Sequence, residues 1–95
     1  MSANHVPVAL FRLGRIVTTP AALGRLSHDD ILAGIQRHQA GDWGDLCEED
    51  KRENQFALEK GFRLFSTYLA VNGVKFYVIT EADRSVTTIL LPEDY

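Results

Sequence analysis

The stretch that decides the fold is Gly61–Tyr95, which reads GFRLFSTYLAVNGVKFYVITEADRSVTTILLPEDY. It contains three runs of aromatic and β-branched residues, separated by Asn72-Gly73 and by the charged loop Glu81–Ser85. Runs of this composition between turn residues are typical of strands. Asn-Gly between two such runs favours a hairpin with a two-residue type I′ turn. The stretch therefore predicts a three-stranded antiparallel meander.

The predicted turn also sets the two faces of the sheet. A two-residue loop places Leu69 opposite Phe76 on the face that we expect to enter the core. A third strand with Val86 opposite Thr80 extends both faces. The second face then collects hydroxyl, aromatic and cationic side chains that form a candidate binding surface: Ser66, Tyr68, Lys75, Tyr77 and Thr87. The alternative is that the tyrosines only stabilise a half-exposed sheet.

Capping residues mark the elements upstream of the meander. Thr19 precedes a proline and Ser27 precedes a helical apolar pattern, so both are predicted to cap helices. Gly41 and Gly61 can adopt the left-handed conformation that ends a helix, so they are predicted to end the second and third helices. The predicted elements are a short strand over Leu13–Thr18 and helices over Pro20–Leu26, His28–Gln39 and Glu48–Lys60.

These elements predict an α+β fold in a single domain, residues 1–95. A short N-terminal strand and helices pack on a three- to four-stranded antiparallel sheet that ends in the β-meander, and 95 residues leave no room for a second core. The predicted core residues are Leu13, Ile16, Leu26, Ile31, Ile35, Phe56, Phe65, Leu69, Phe76, Val78 and Leu90.

The composition argues against several classes of protein. The chain is 45% hydrophobic and 24% charged, which is ordinary for a globular domain. Its net charge of −3 argues against diffuse binding to nucleic acid, although a local arginine patch is compatible with it. No run approaches the roughly 18 uncharged apolar residues that cross a membrane. A single cysteine, Cys47, and the lack of a signal-peptide pattern predict a cytoplasmic location.

Two residues are the first candidates for catalysis. His38, near the end of the second helix, is the best general acid or base because histidine titrates near neutrality. The helix dipole alone also favours a histidine at this position. Arg84, in the loop between the last two strands, suits a phosphate or a developing negative charge, or an ion pair with Glu81 and Asp83.

The loop before the third helix holds further candidates. Trp43, the sole tryptophan, either packs this loop under the sheet or anchors a partner. The carboxylates between Asp42 and Asp50 attract Mg²⁺ or a basic partner, or form helix-start charges on a solvated face. The three histidines lack the spacing of metal ligands and one cysteine does not complete a zinc site. The sequence thus predicts neither a metal site nor a cofactor.

Three segments carry a family resemblance: Leu13–Pro20 (LGRIVTTP), Arg37–Leu46 (RHQAGDWGDL) and Val78–Tyr95 (VITEADRSVTTILLPEDY). Together they resemble a family of small uncharacterised proteins found on bacterial plasmids and other mobile elements. Where that family has a tryptophan in the second hairpin strand, this chain has Phe76 or Tyr77. The resemblance implies a bacterial cytoplasm and an accessory role in host interaction or counter-defence.

A looser architectural likeness links the chain to small metal-independent ribonuclease toxins of barnase-like and RelE-like type, which also place short helices before an antiparallel sheet. This likeness implies that His38 is the acid or base and Arg84 the phosphate clamp. It also implies that Ser66, Tyr68 and Thr87 hold the RNA within the catalytic site.

The sequence therefore leaves two functions open. The first is a non-enzymatic accessory module that binds a protein partner through the Trp43 loop and the sheet face with Tyr68 and Tyr77. The second is the ribonuclease, for which the partner is RNA. Homodimer formation through an unpaired sheet edge is compatible with either function, and neither requires a membrane.

Overall fold

The computed structural model of the protein describes residues 8–95. In chain order its elements are β1 (Arg15–Thr18), α1 (Pro20–Arg25), α2 (His28–Gln39), α3 (Glu48–Lys60), β2 (Leu64–Leu69), β3 (Lys75–Thr80), β4 (Val86–Leu90) and a short 3₁₀ helix at Pro92–Asp94. Helices pack on a four-stranded, mostly antiparallel sheet, so the predicted α+β class is confirmed.

The helix boundaries follow from local chemistry. The Thr19 hydroxyl accepts a hydrogen bond from the amide of Ala22 at 3.2 Å and begins α1. Ser27 Oγ accepts from the Asp30 amide at 3.0 Å and begins α2. Gly61 ends α3 in the left-handed conformation, with φ of 80°. The predicted bounds of α2 and α3 are confirmed because each rests on contacts within a few residues.

The sheet has the strand order β1-β4-β3-β2. The antiparallel meander of β2, β3 and β4 is confirmed. β1, in contrast, lies parallel to β4, with Arg15 opposite Val86 and Thr18 opposite Ile89, so the sheet is mixed rather than wholly antiparallel. At the other edge, the loop residue Gly44 forms a bridge with Thr67 of β2.

The predicted type I′ turn is wrong, because the hairpin has a three-residue loop. The Ala70 amide donates to the Val74 carbonyl and the Gly73 amide donates back to Ala70, both at 2.9 Å. Gly73 takes a φ of 87°, which makes it the left-handed residue of a bulged hairpin. The longer loop moves the register by one residue, so that Leu69 faces Lys75 rather than Phe76.

The shift turns the other side of β2 to the core, while Phe76 and Val78 of β3 keep their predicted core positions. Tyr68 is opposite Phe76, and both are buried beneath the helices. The β3–β4 register is also one residue from the prediction, since Thr80 faces Thr87. The core face therefore contains Leu64, Ser66, Tyr68, Ala70, Phe76, Val78, Thr80, Thr87 and Ile89. The opposite, outer face contains Arg15, Val17, Phe65, Thr67, Leu69, Lys75, Tyr77, Ile79, Val86, Thr88 and Leu90.

The core consists of two clusters on the core face. The larger joins α1 and α2 to the sheet through residues such as Ala22, Ile35 and Phe76. The smaller joins α3 to β2 through Ala57 and Leu64. Of the predicted core residues, Leu26, Ile35, Phe76, Val78 and Leu90 are buried, Leu13, Ile31 and Phe65 are partly buried, and Ile16, Phe56 and Leu69 are exposed. The changed register of β2, which pairs Leu69 with Lys75, explains the exposure of Leu69.

The contact between Gly44 and β2 generates a prediction. Gly44 has a φ of 78°, and a Cβ there would collide with the main-chain carbonyl of Thr67. We expect Gly44→Ala to lower the free energy of unfolding by about 3 kcal/mol or more, because strain and collision add. Gly61→Ala is the matched control, since its φ is 80° with open space around it, and it should cost about 1 kcal/mol. Equal losses in urea unfolding would contradict the prediction.

Candidate functional site

A buried chain of hydrogen bonds lies between α2 and the core face of the sheet. His38 Nδ1 lies 2.6 Å from Ser66 Oγ, and Nε2 lies 2.9 Å from Thr80 Oγ1. Thr80 Oγ1 lies 2.7 Å from Thr87 Oγ1, which donates to the Leu13 carbonyl at 2.7 Å. The structure thus brings together the predicted residues His38, Ser66 and Thr87, with Thr80 as the link that the sequence analysis missed.

For a neutral imidazole, only one arrangement of protons satisfies the whole chain. The Leu13 carbonyl can only accept, so the Thr87 hydroxyl donates to it. Thr80 must then donate to Thr87. Thr80 Oγ1 accepts from His38 Nε2–H, which leaves Nδ1 to accept from the Ser66 hydroxyl. The chain therefore selects the Nε2–H tautomer of the neutral imidazole.

The surroundings of His38 hold the imidazole in its neutral form. Its exposed fraction is 0%, and the rings of Phe11 and Trp43 meet it edge-on at centroid distances of 5.2 and 5.7 Å. Burial, and to a smaller extent the positive charge of Arg84, lowers the pKa of His38 from 6.5 to about 3. A neutral histidine without exposed surface positions α2 on the sheet and offers no access to a substrate in this conformation.

The guanidinium of Arg84 donates hydrogen bonds to main-chain carbonyls. Nη1 donates to the Phe62 carbonyl at 2.7 Å and to the Glu81 carbonyl at 3.2 Å, and Nη2 donates to the Ala57 carbonyl at 3.3 Å. The guanidinium carbon also lies 5.7 Å from the centre of the Phe11 ring. Arg84 therefore fastens the end of α3 to the β3–β4 turn, where a cation is favourable next to the helix C-terminus. These bonds occupy both of its terminal nitrogens.

Trp43 and Tyr68 are also buried. Trp43 is 4% exposed and stacks near Phe11, so it packs the loop under the sheet. Tyr68 is 2% exposed; its hydroxyl donates to the Asp42 carbonyl, and burial raises its pKa. The Arg37 guanidinium lies 4.6 Å from the Tyr68 ring centre and pairs with the Asp42 carboxylate at 2.7 Å. Both aromatic residues thus hold the loop in place.

Lys75 and Tyr77 lie on the outer face, so the predicted binding face is divided between two sides of the sheet. Ser66, Tyr68 and Thr87 point into the core instead. The Tyr77 ring packs against Phe65 at a centroid distance of 4.7 Å, and Tyr95 meets it edge-on at 6.0 Å. Except for Thr67, Ile79 and Leu90, the side chains of the outer face are exposed or half-buried.

A second surface feature, absent from the sequence analysis, is a groove of about 850 Å³ between α3 and the residues that follow it. Phe56, Phe62 and Tyr95 line it together with Phe65, and we call it the aromatic groove. The signal in the sequence is Phe56, an aromatic residue in a mostly polar helix, followed by Phe62 just beyond Gly61. The Phe62 amide donates to the Ala57 carbonyl, and the contact between the rings of Phe62 and Phe56 is the hydrophobic contact that accompanies such a helix end. Each ring is still 54% exposed.

Comparison with protein-family models, with curated proteins and with solved structures finds no match to this chain. The resemblance to mobile-element proteins and the likeness to ribonuclease toxins therefore stay predictions. Among residues 8–95, no three His, Cys, Asp or Glu side chains are grouped so that they could hold a metal ion. In the same part of the chain, no helix has the length and apolar character needed to span a membrane.

The buried chain predicts a specific cost for Thr87→Val. This change leaves the Leu13 carbonyl without a donor and the Thr80 hydroxyl without an acceptor, so the free energy of unfolding should fall by about 2–3 kcal/mol. The adjacent Thr88→Val, on the outer face, is the matched control and should change it by less than about 0.5 kcal/mol. Chemical denaturation measures both. A Thr87→Val protein as stable as the control would contradict the proton order.

His38 predicts a pH dependence of stability. Its folded pKa of about 3 lies below its ordinary value of 6.5, so between these values the unfolded chain binds a proton that the folded protein does not. Stability is fully present above pH 6.5 and falls on acidification, by up to about 1.4 kcal/mol per pH unit within this window.

The measurement compares the free energy of unfolding of the wild type and His38→Gln from pH 7 to about pH 4.5, above the range where the carboxylates dominate. We expect the variant to be less stable at pH 7 but to lose less stability on acidification. Parallel curves for the two proteins would show that His38 does not titrate in this way.

Proposed function

We propose that the protein is a non-enzymatic accessory module that binds a protein partner through the outer face of its sheet. The single observation that carries the proposal is the uncovered apolar surface of this face. Leu69, on the edge strand β2, is 62% exposed and shares this face with the half-buried rings of Phe65 and Tyr77, while Val17, on the opposite edge strand β1, is 39% exposed. Exposed apolar side chains on one face of a small protein commonly mark a site of interaction.

The charges of the outer face suggest the chemistry of the partner. The strands place two cations there, Arg15 and Lys75, both exposed, and no carboxylate. Lys75 lies opposite Leu69, next to the most exposed apolar side chain of the face. A partner with an apolar patch bordered by carboxylates complements this arrangement. The proposed interface therefore retains Lys75 and Tyr77 from the sequence analysis and leaves out the buried Trp43 and Tyr68.

The setting of the proposed function comes from the family resemblance. It places the module in a bacterial cytoplasm, as an accessory protein of a plasmid or other mobile element that acts in host interaction or counter-defence. A second copy of the chain is an alternative partner, because β1 is an edge strand of the sheet and an unpaired edge can pair with another strand.

The ribonuclease alternative receives less support from the geometry. His38 and Thr87 have no exposed surface and Arg84 is bound to carbonyls, so the residues assigned to cleavage do not meet at a surface. One observation does favour RNA as a ligand: Tyr77 and Lys75 place an aromatic ring and a cation side by side on an exposed sheet. Single-stranded nucleic acids bind such platforms by stacking.

The test compares two leucines of similar exposure on different surfaces. Leu69→Glu changes the outer face, whereas Leu32→Glu changes α2, where the leucine is 55% exposed. Each protein is immobilised and mixed with bacterial extract, and retained proteins are quantified by mass spectrometry. We expect one partner to be retained by the wild type and Leu32→Glu and to fall more than about tenfold with Leu69→Glu, because a charge then enters the apolar contact. Retention that is equal in all three would contradict the proposal.

Two further measurements distinguish a protein partner from the two alternative ligands, a second copy of the chain and RNA. Sedimentation of the purified protein detects a homodimer, and a dimer that Leu69→Glu dissolves would assign the outer face to a second copy instead. Incubation with labelled total RNA, with and without a chelator, should leave the RNA intact. Cleavage that survives chelation would overturn the binding-module proposal in favour of the ribonuclease.

A further inference from the structure

The aromatic groove lies beside α3 and presents exposed rings. Phe56 and Phe62 are each 54% exposed, and their centroids lie 5.9 Å apart. Tyr95, 68% exposed, closes the opposite side. A volume of about 850 Å³ is within the range of sites that bind small molecules or peptide side chains. The faces of the rings carry negative electrostatic potential, which attracts cations.

The wall of the groove on α3 carries Glu49, Asp50 and Glu53. The first two lie in the first turn of α3, where the helix dipole favours acids and where Cys47 makes no side-chain cap. Glu53 lies beyond that turn, so the dipole does not account for it. Within residues 8–95, none of the three carboxylates is within 4.0 Å of a lysine or arginine nitrogen, in contrast to Glu48, which pairs with Lys51.

The groove also contains two arginines, Arg52 and Arg63. Arg63 donates to the Tyr95 hydroxyl at 2.8 Å, and its guanidinium carbon lies 5.9 Å from the centre of that ring. This internal pair shows that the groove accommodates a guanidinium against an aromatic ring. With three carboxylates against two arginines the lining of the groove keeps a net negative charge, and Glu53 is the carboxylate nearest in sequence to Phe56.

We propose that the aromatic groove binds an arginine side chain of an extended peptide, with the guanidinium between Glu53 and the rings of Phe56 and Phe62. A carboxylate accepts the hydrogen bonds of the guanidinium while the rings contact its flat faces. Apolar residues next to that arginine cover the remaining aromatic surface. The outer face is proposed to bind a partner by a different chemistry; the groove and the outer face share Phe65, but Glu53 and Phe56 lie on α3 and Leu69 lies on β2, so the variants change one surface each. The two proposals therefore stand or fall separately.

The experiment titrates the isotopically labelled full chain with the acetylated, amidated peptide Ala-Leu-Arg-Leu-Ala, followed by NMR. A control peptide contains citrulline in place of arginine, because citrulline keeps the shape of the arginine side chain and removes its charge. The variants are Glu53→Gln and, as the matched control on the same helix, Glu59→Gln, which is exposed and lies outside the groove. A third variant, Phe56→Ala, removes an exposed ring and should leave the fold intact.

We expect saturable binding of the arginine peptide, with shifted amides confined to residues 46–63 and Tyr95. The citrulline peptide should bind at least about tenfold more weakly than the arginine peptide. Glu53→Gln and Phe56→Ala should each weaken binding of the arginine peptide about threefold to fivefold. Glu59→Gln should bind it as tightly as the wild type. Absence of saturation would overturn the proposal. So would equal binding of the two peptides, which points to an apolar ligand, or an equal loss with Glu59→Gln, which points to unspecific charge attraction.

Discussion

The buried imidazole of His38 is the constraint on which the rest of the structure depends. Through two nitrogens it joins α2 to β2 and β3, and through Thr80 and Thr87 the same chain reaches β4 and the main chain before β1. Each of these polar groups would be costly to bury alone, and together they are satisfied. The network therefore selects one placement of the helix on the sheet, which apolar packing by itself would leave less well defined.

The polar residues that suggest enzymatic chemistry are thus used inside the molecule, and the surface contains features of another kind. The outer face combines apolar side chains with Arg15 and Lys75, whereas the aromatic groove combines rings with carboxylates such as Glu53. The two surfaces have opposite charge, although residues such as Phe65 and Tyr95 lie close to both. This division supports the proposal of a binding module.

The sequence predicts this fold well wherever a few neighbouring residues decide the structure. The caps at Thr19 and Ser27 and the helix ends at Gly41 and Gly61 are local, and the helices follow them. The core side of β2 was predicted wrongly because one additional residue in the hairpin loop reverses that strand relative to β3, and no property of the strands themselves prevents that. Predicting the candidate site requires the distances between residues that are far apart in the chain. A sequence pattern does not contain these distances.

The parallel pairing of β1 with β4 has a consequence for biosynthesis. Arg15 pairs with Val86, so a strand made early on the ribosome has its partner only after most of the described chain has been translated. The hairpin of β2 and β3, in contrast, closes over the short loop around Asn72 and can form as soon as it leaves the exit tunnel. Nascent chains should therefore carry an unpaired β1, with its main-chain hydrogen-bonding groups open to chaperones, until synthesis has passed Leu90.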